Sequence, residues 1–134
     1  MKIGVLGGTF DPVHMGHLIL AEEACYRLAL SRVLWVLTPD PPHKTGKTVL
    51  RWQDRWRMLQ LALAGNDAFE LCDVDTQRDP PYFAVDTMGM LKKKYPCDLL
   101  IYLIGGDSLR DLPSWHNPKA LIAVCDGLGV MMRA

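Results

Sequence analysis

The chain has 134 residues, 49% of them apolar and 22% charged, with 15 Lys and Arg balanced by 15 Asp and Glu. A chain of this length buries roughly 65–70% of the surface its unfolded form exposes, enough for one core without a disulfide or metal staple. Such a composition excludes a disordered chain, and zero formal charge removes any global electrostatic case for partnership with nucleic acid or an anionic membrane.

Lys2 to Leu6 is a short apolar run closed by Gly7-Gly8, which predicts a buried strand. Met15 to Leu30 carries Leu18, Ala21, Cys25 and Leu28 at helical spacing, with Glu22, Glu23 and Arg27 elsewhere, and predicts a helix. Arg32 to Leu37 reads as a second strand, stopped by Thr38-Pro39-Asp40-Pro41-Pro42. Trp52 to Ala64 repeats a helical pattern through Trp56, Leu59, Leu61 and Leu63. A short strand near Phe69 to Cys72 and a helix near Val85 to Lys94 follow. Cys97 to Ile104 is the most apolar strand and ends in Gly105-Gly106; a short helix around Pro118 to Val124 then leads to a final strand, Leu128 to Met132. Strands that alternate with helices and are apolar nearly throughout must be covered on both faces. The predicted fold class is therefore α/β: a doubly wound, mainly parallel five-stranded Rossmann-like sheet with helices on both faces, all within one domain spanning 1–134.

Apolar runs such as Leu99 to Ile104 fall far short of the roughly 20 residues of a spanning helix, and Met1 to Gly8 has no signal-peptide pattern. Cys25, Cys72, Cys97 and Cys125 are scattered among apolar neighbours with no Cys-x-x-Cys pair. They read as reduced core cysteines, so the expected location is cytoplasmic.

Ligands of open parallel sheets bind beyond the carboxyl ends of the strands, where strand order reverses. That rule selects the loops Gly7 to His17, Pro39 to Lys44 and Gly105 to Asp107. The first is Gly7-Gly8-Thr9-Phe10-Asp11-Pro12-Val13-His14-Met15-Gly16-His17, running from a strand into a helix. Glycines admit a ligand close to the backbone, and the helix start offers unpaired N–H groups with a partial positive charge. His14 and His17 can point the same way from the first helical turn, with Gly16 leaving room for a polyphosphate beside them. The stretch has neither Gly-x-Gly-x-x-Gly nor Gly-Lys-Ser/Thr, so it is no dinucleotide fingerprint and no P-loop. As a metal pair, His14 and His17 lack a third ligand at an informative spacing.

His14-Met15-Gly16-His17 resembles the His-x-Gly-His signature of nucleotidyltransferases related in fold to class I aminoacyl-tRNA synthetases. The longer run is similar to that of the bacterial nicotinate-nucleotide adenylyltransferase branch. Pro41-Pro42-His43-Lys44, Arg55 at the opening of the second helix, Gly105-Gly106-Asp107-Ser108-Leu109 and Leu112-Pro113-Ser114-Trp115 match the same branch in order. Read from the residues alone, Pro41 to Lys44 is a turn, Arg55 a solvated helix position and Trp115 a core side chain. The resemblance instead implies adenylyl transfer from ATP to nicotinate mononucleotide, giving nicotinate adenine dinucleotide and pyrophosphate in NAD biosynthesis. It implies catalytic roles for His14, His17 and Lys44 on the ATP phosphates, with Mg²⁺ carried in by ATP. ATP contacts are implied for Gly7, Gly8, Thr9, Phe10, Gly16, Gly105 and Asp107, and nicotinate mononucleotide contacts for His43, Phe83, Ala84 and Trp115.

The chain departs from the branch twice. The family's Pro-Ser-Tyr-Thr-x-x-Thr falls on Pro81-Tyr82-Phe83-Ala84-Val85-Asp86-Thr87, so two hydroxyls are replaced at Phe83 and Ala84. Nothing here matches the family's later Ile-Ser-x-Thr-x-Ile-Arg segment, so the expected chain is short of the usual C-terminal part. The final strand would then form an edge that invites self-association into a homo-oligomer. Three alternatives stay open at this point: a related transferase acting on another phosphate such as nicotinamide mononucleotide, a non-catalytic or weakly active nucleotide-binding fragment, and a plain metal-dependent hydrolase.

Overall fold

The computed structural model describes residues 1–39 and 50–131. Its strands are β1 (Lys2–Gly8), β2 (Arg32–Leu37), β3 (Phe69–Cys72), β4 (Leu99–Gly105) and β5 (Gly127–Met131). Its helices are α1 (Met15–Arg27), α2 (Trp52–Leu63), α3 (Ala84–Lys94), α4 (Gly106–Asp111) and α5 (Pro118–Val124), with a 3₁₀ turn at Leu112–Ser114. All strand pairs are parallel, in the order β3-β2-β1-β4-β5.

The near-continuous apolarity of the strands follows from two separate cores, one on each face of the sheet. Along β2, Val33, Trp35 and Leu37 point to the face covered by α1 and α2, where they meet Ala21, Ala24, Leu59 and Leu63. Leu34 and Val36 point to the opposite face, with Met88 and Leu91 of α3 and Leu121 of α5. The expected doubly wound α/β architecture is thus present.

Three differences from the sequence reading have local causes. The first helix stops at Arg27 rather than Leu30, because Ala29 takes a left-handed φ of +52° and Leu30 N–H turns back to Cys25 O. The α4 segment and the 3₁₀ turn fall where only loop was expected. Gly105 caps α4 in extended backbone, and this six-residue helix buries none of its residues, so it has no apolar stripe to announce it. Cys97, expected in the core, is exposed: it lies in the turn between α3 and β4, which begins only at Leu99. All the cysteines are unpaired, as expected; Cys72 is buried, and Cys25 and Cys125 are half-buried.

β5 lies at one side of the sheet, and its glycine at 129 is a packing requirement. A Cβ there would stand 2.7 Å from Leu103 Cδ2 and 2.8 Å from Leu28 Cδ1, so only glycine allows α1 and β4 to close over it.

The pattern through α2 is less uniform than its spacing implied. Leu59 is fully buried, whereas Leu61 is 62% exposed. Leu59→Ala should therefore cost about 2–5 kcal/mol of unfolding free energy, and Leu61→Ala less than about 0.5 kcal/mol. Chemical denaturation of the two variants checks the contrast.

Candidate functional site

The order β3-β2-β1-β4-β5 reverses between β1 and β4, so their carboxyl ends, Gly8 and Gly105, open the crevice expected to hold a ligand. A cavity of about 670 Å³ lies there. Its walls come from Gly7, Gly8 and Thr9 after β1, Tyr102 to Gly105 of β4, the Tyr82–Ala84 approach to α3, and Ser114 to His116. Among the residues expected to bind ligand, Gly7, Gly8, Thr9, Gly105, Phe83, Ala84 and Trp115 line this cavity; Phe10, His14, Gly16, His17 and Asp107 do not. His43 and Lys44 lie outside the described residues.

The two histidines sit at the start of α1 and close it as a reciprocal cap. His14 is the N-cap residue; its Nδ1 accepts from Gly16 N–H at 3.0 Å, and His17 Nδ1 accepts from His14 N–H at 3.1 Å. Their rings stack at 3.8 Å. An accepting Nδ1 carries no proton, so each neutral ring holds its proton on Nε2, turned away from the cap. Gly16 is what lets His14 lie over the helix start: a Cβ at this position would be 2.8 Å from His14 Cε1. The glycine between the histidines thus makes room for an imidazole, whatever else it accommodates.

His17 is held from below by Phe10, whose ring meets it edge-on at 5.0 Å. Phe10 takes a left-handed φ of +48° and is 3% exposed, with Trp35 at 5.5 Å on its other side. The Phe10 ring is thus a core plug under His17, and its backbone is what it leaves open to a ligand. Burial, then the neighbouring His14, pushes the His17 pKa below the ordinary histidine value.

Arg55 is 1% exposed, which corrects its reading as a solvated helix position. Its Nε donates to Leu50 O at 2.8 Å, and its Nη1 to both Thr9 O and Thr38 O at 2.8 Å. Its Nη2 donates to Pro39 O. One guanidinium therefore ties the loops leaving β1 and β2 to the start of α2.

The cavity wall before α3 has a polar frame behind it. Thr87 Oγ1 donates to Asp75 Oδ1 at 2.9 Å, and Arg78 Nε pairs with the same oxygen at 3.0 Å. Arg78 Nη1 and Nη2 also donate to Pro81 O and Phe83 O, at 3.3 and 3.5 Å, fixing the backbone before α3. Burial pushes the Asp75 carboxyl pKa up, against the opposing pull of Arg78 and Thr87. Trp115 is half-buried and meets Tyr102 edge-on at 6.3 Å, while Phe83 stacks on His116 at 4.0 Å. Asp75, Arg78, Tyr102 and His116 were not singled out from the sequence. Of these, only His116 lay beside a recognised motif, directly after Trp115. Asp107 stands apart at the start of α4, its side chain 83% exposed and 3.8 Å from Arg110.

A ligand-sized crevice at the sheet's switch point, with a helix that starts on two capping imidazoles after β1, defines a doubly wound α/β domain built to hold a small molecule. A family model described as cytidylyltransferase-like matches residues 5–130, and the chain belongs to that family. It is 46% identical over 132 residues to a probable nicotinate-nucleotide adenylyltransferase of Thermomicrobium roseum, covering 98% of this chain and 61% of that protein. It is 42% identical over 126 residues to a protein of the same designation from Geobacter sulfurreducens, covering 94% of this chain and 58% of the other. The chain thus spans about three-fifths of the length of these relatives. Its fold superposes on the Plasmodium falciparum nicotinic acid mononucleotide adenylyltransferase complexed with NaAD. That match has a TM-score of 0.78 at 13% identity and covers 98% of this chain and 75% of that one.

Arg55→Met should destabilise the protein by at least about 3 kcal/mol, because it leaves several carbonyls without a donor at about 1–3 kcal/mol each. A denaturant midpoint unchanged from wild type would contradict this. His17 gives a pH signature of known sign. Its folded pKa lies below 6.5, so on acidification the unfolded chain binds the proton first. The stability that His17 contributes is complete above pH 6.5 and is lost as pH falls below it. His17→Gln should flatten this segment of the stability curve, measured from about pH 7.5 to 5.5.

Proposed function

We propose that the chain is a nucleotidyltransferase domain over 1–134 that moves an adenylyl group from ATP to nicotinate mononucleotide, releasing pyrophosphate. The observation that carries this reading is the α1 cap: paired imidazoles with Nδ1 committed to backbone and Nε2–H free to donate, at the start of the helix that follows β1. The family membership and the names of the relatives support it.

In this mechanism a phosphate oxygen of the mononucleotide attacks the α-phosphorus of ATP in line. The new P–O bond forms as the bond to the α–β bridging oxygen breaks, and that electron pair leaves on pyrophosphate. A phosphate monoester dianion carries no proton to remove, so no general base is required. What the protein contributes is positioning and stabilisation of charge developing on the phosphates. His14 and His17 donate from Nε2 to those oxygens, and Lys44 adds positive charge. Gly7, Gly8 and Thr9 allow the nucleotide to approach β1 closely, Gly16 leaves room for the polyphosphate, and Gly105 and Asp107 are assigned to the adenosine side. Trp115 stacks on the pyridine ring, with Phe83, Ala84 and His43 completing that end.

Among the described residues no three His, Cys, Asp or Glu side chains converge as a metal cage, and the Nδ1 lone pairs of His14 and His17 are already engaged. Mg²⁺ is therefore assigned to the substrate, held by the oxygens of ATP itself. No helix among the described residues is long and apolar enough to cross a membrane. We place the reaction in the cytoplasm, where unpaired cysteines stay reduced. The position of β5 at one side of the sheet is compatible with the expected homo-oligomer.

His17→Ala should lower turnover by about 10²–10³, the usual loss for one transition-state donor, while circular dichroism shows a folded protein. Near-normal pyrophosphate release by this variant would sink the mechanism.

A further inference from the structure

Tyr102 stands in β4 opposite Val5 of β1 in the parallel register. Side chains alternate along a strand, so Val5 and Gly7 share the face on which the Tyr102 ring lies. The ring leans along β1 toward its carboxyl end: a Cβ at Gly7 would lie 3.9 Å from Tyr102 Oη. No other described atom outside the adjoining residues comes within 4 Å of that position. Both residues line the cavity. The missing side chain at Gly7 thus leaves a slot in the cavity wall, with a hydroxyl at its edge.

Other hydroxyls of the lining are already engaged. Tyr82 Oη donates to Arg78 O at 3.2 Å, Thr87 Oγ1 to Asp75 Oδ1 at 2.9 Å, and Ser114 Oγ to Asp111 O at 2.6 Å. Tyr102 Oη makes no hydrogen bond among the described residues, while its ring is held edge-on to Trp115 at 6.3 Å. Burial, then Cys125 and Asp75, pushes its pKa up to about 12, so the phenol keeps its proton near neutrality. Water satisfies such a hydroxyl in an open cavity. A ligand that expels this water must offer a polar atom in its place, or the hydroxyl is left unpaired.

The position of the hydroxyl indicates which part of a ligand it meets. In the mononucleotide reading the pyridine ring lies on Trp115 and the phosphate at the start of α1. Tyr102 bridges these ends, with its ring against Trp115 and its hydroxyl beside Gly7, where β1 runs out through Gly8 toward α1. The part of a mononucleotide that joins ring to phosphate is the ribose, whose two free hydroxyls both donate and accept. We propose that the Tyr102 hydroxyl is the sugar-reading group of this cavity, hydrogen-bonding a ribose hydroxyl seated over Gly7 and so selecting a ribonucleotide over its deoxy counterpart. The assignment rests on the mononucleotide reading above and deepens it by naming the side chain that recognises the sugar. A site that hydrogen-bonds a substrate hydroxyl rejects the analogue lacking it, because the protein's own group is then stranded.

The test is a thermodynamic cycle on the full chain. Calorimetry measures binding of nicotinate mononucleotide, and of the same molecule with both ribose hydroxyls replaced by hydrogen, to wild type and to Tyr102→Phe. The substitution removes one oxygen and keeps an aromatic ring against Trp115. Comparing two ligands on one protein cancels any general weakening of the variant. Wild type should bind the ribonucleotide at least about tenfold more tightly than the deoxy analogue, and Tyr102→Phe should lower that ratio about tenfold. A Tyr102→Phe protein that retains the wild-type ratio overturns the assignment, because the sugar is then read elsewhere. Equal wild-type affinity for the two ligands overturns it too, while leaving the mononucleotide reading standing. Wild type that binds neither ligand overturns that reading, and this assignment with it.

Discussion

A single buried guanidinium sets the geometry on which the crevice depends. Arg55 reaches from the first turn of α2 to the carbonyls of Thr9, Thr38, Pro39 and Leu50. These belong to the loop after β1, the loop after β2 and the approach to α2. Burying a cation is costly unless its donors are met, and here converging carbonyl dipoles meet them. The same carbonyls gain donors that the ends of parallel strands cannot supply. Because Thr38 N–H also donates to Gly8 O at 2.9 Å, the ends of β1 and β2 are locked to each other as well as to the arginine. The backbone that opens the crevice is thus held before any ligand arrives, as the proposed positioning mechanism requires.

Much of this architecture was legible from the sequence because the cause and the pattern are both local. Strands sandwiched between helices must be apolar on both faces, and Arg32 to Leu37 reads that way whatever lies beside it in space. Gly7 to His17 could be placed at a strand-to-helix turn by its glycines and by the helical spacing that follows. Features set by distant contacts were not legible. The burial of Arg55 depends on where the β1 and β2 loops end, so by periodicity alone it resembles any charged helix residue. The Asp75–Arg78–Thr87 network joins a loop to the next helix at spacings that no helix or strand repeat encodes. Phe10 sits within the most informative motif, yet its left-handed backbone sends the ring into the core.

The likeness to a known branch assigned roles that the residues alone could not. It singled out Trp115, whose spacing suits a core side chain equally well, and the structure places it on the cavity wall. It did not single out His116, because a motif ending at Trp115 says nothing of the next side chain. The replacement of two hydroxyls at Phe83 and Ala84 takes on meaning only in three dimensions. Phe83 presents a flat apolar face, and His116 stacks on it, so a polar group is present at this wall although the two residues expected to supply one have none.

The α1 cap explains why histidine suits this helix start better than a permanent cation would. Lysine or arginine has no acceptor and could not take the N–H groups of His14 and Gly16, so the helix start would lose its own cap. Imidazole does both tasks at once, accepting on Nδ1 and donating on Nε2, and the first bond fixes the direction of the second. Protonation of His17 Nδ1 would break its bond from His14 N–H, so the helix start itself opposes charging of that ring. Burial and the close approach of His14 act in the same direction on His17. In the proposed reaction, donors aimed by backbone geometry would stabilise charge as it develops on the phosphates without clamping the departing pyrophosphate. The spacing His-x-Gly-His follows from that requirement: N-cap and N3 for the two rings, and a residue without a Cβ where the first ring must lie.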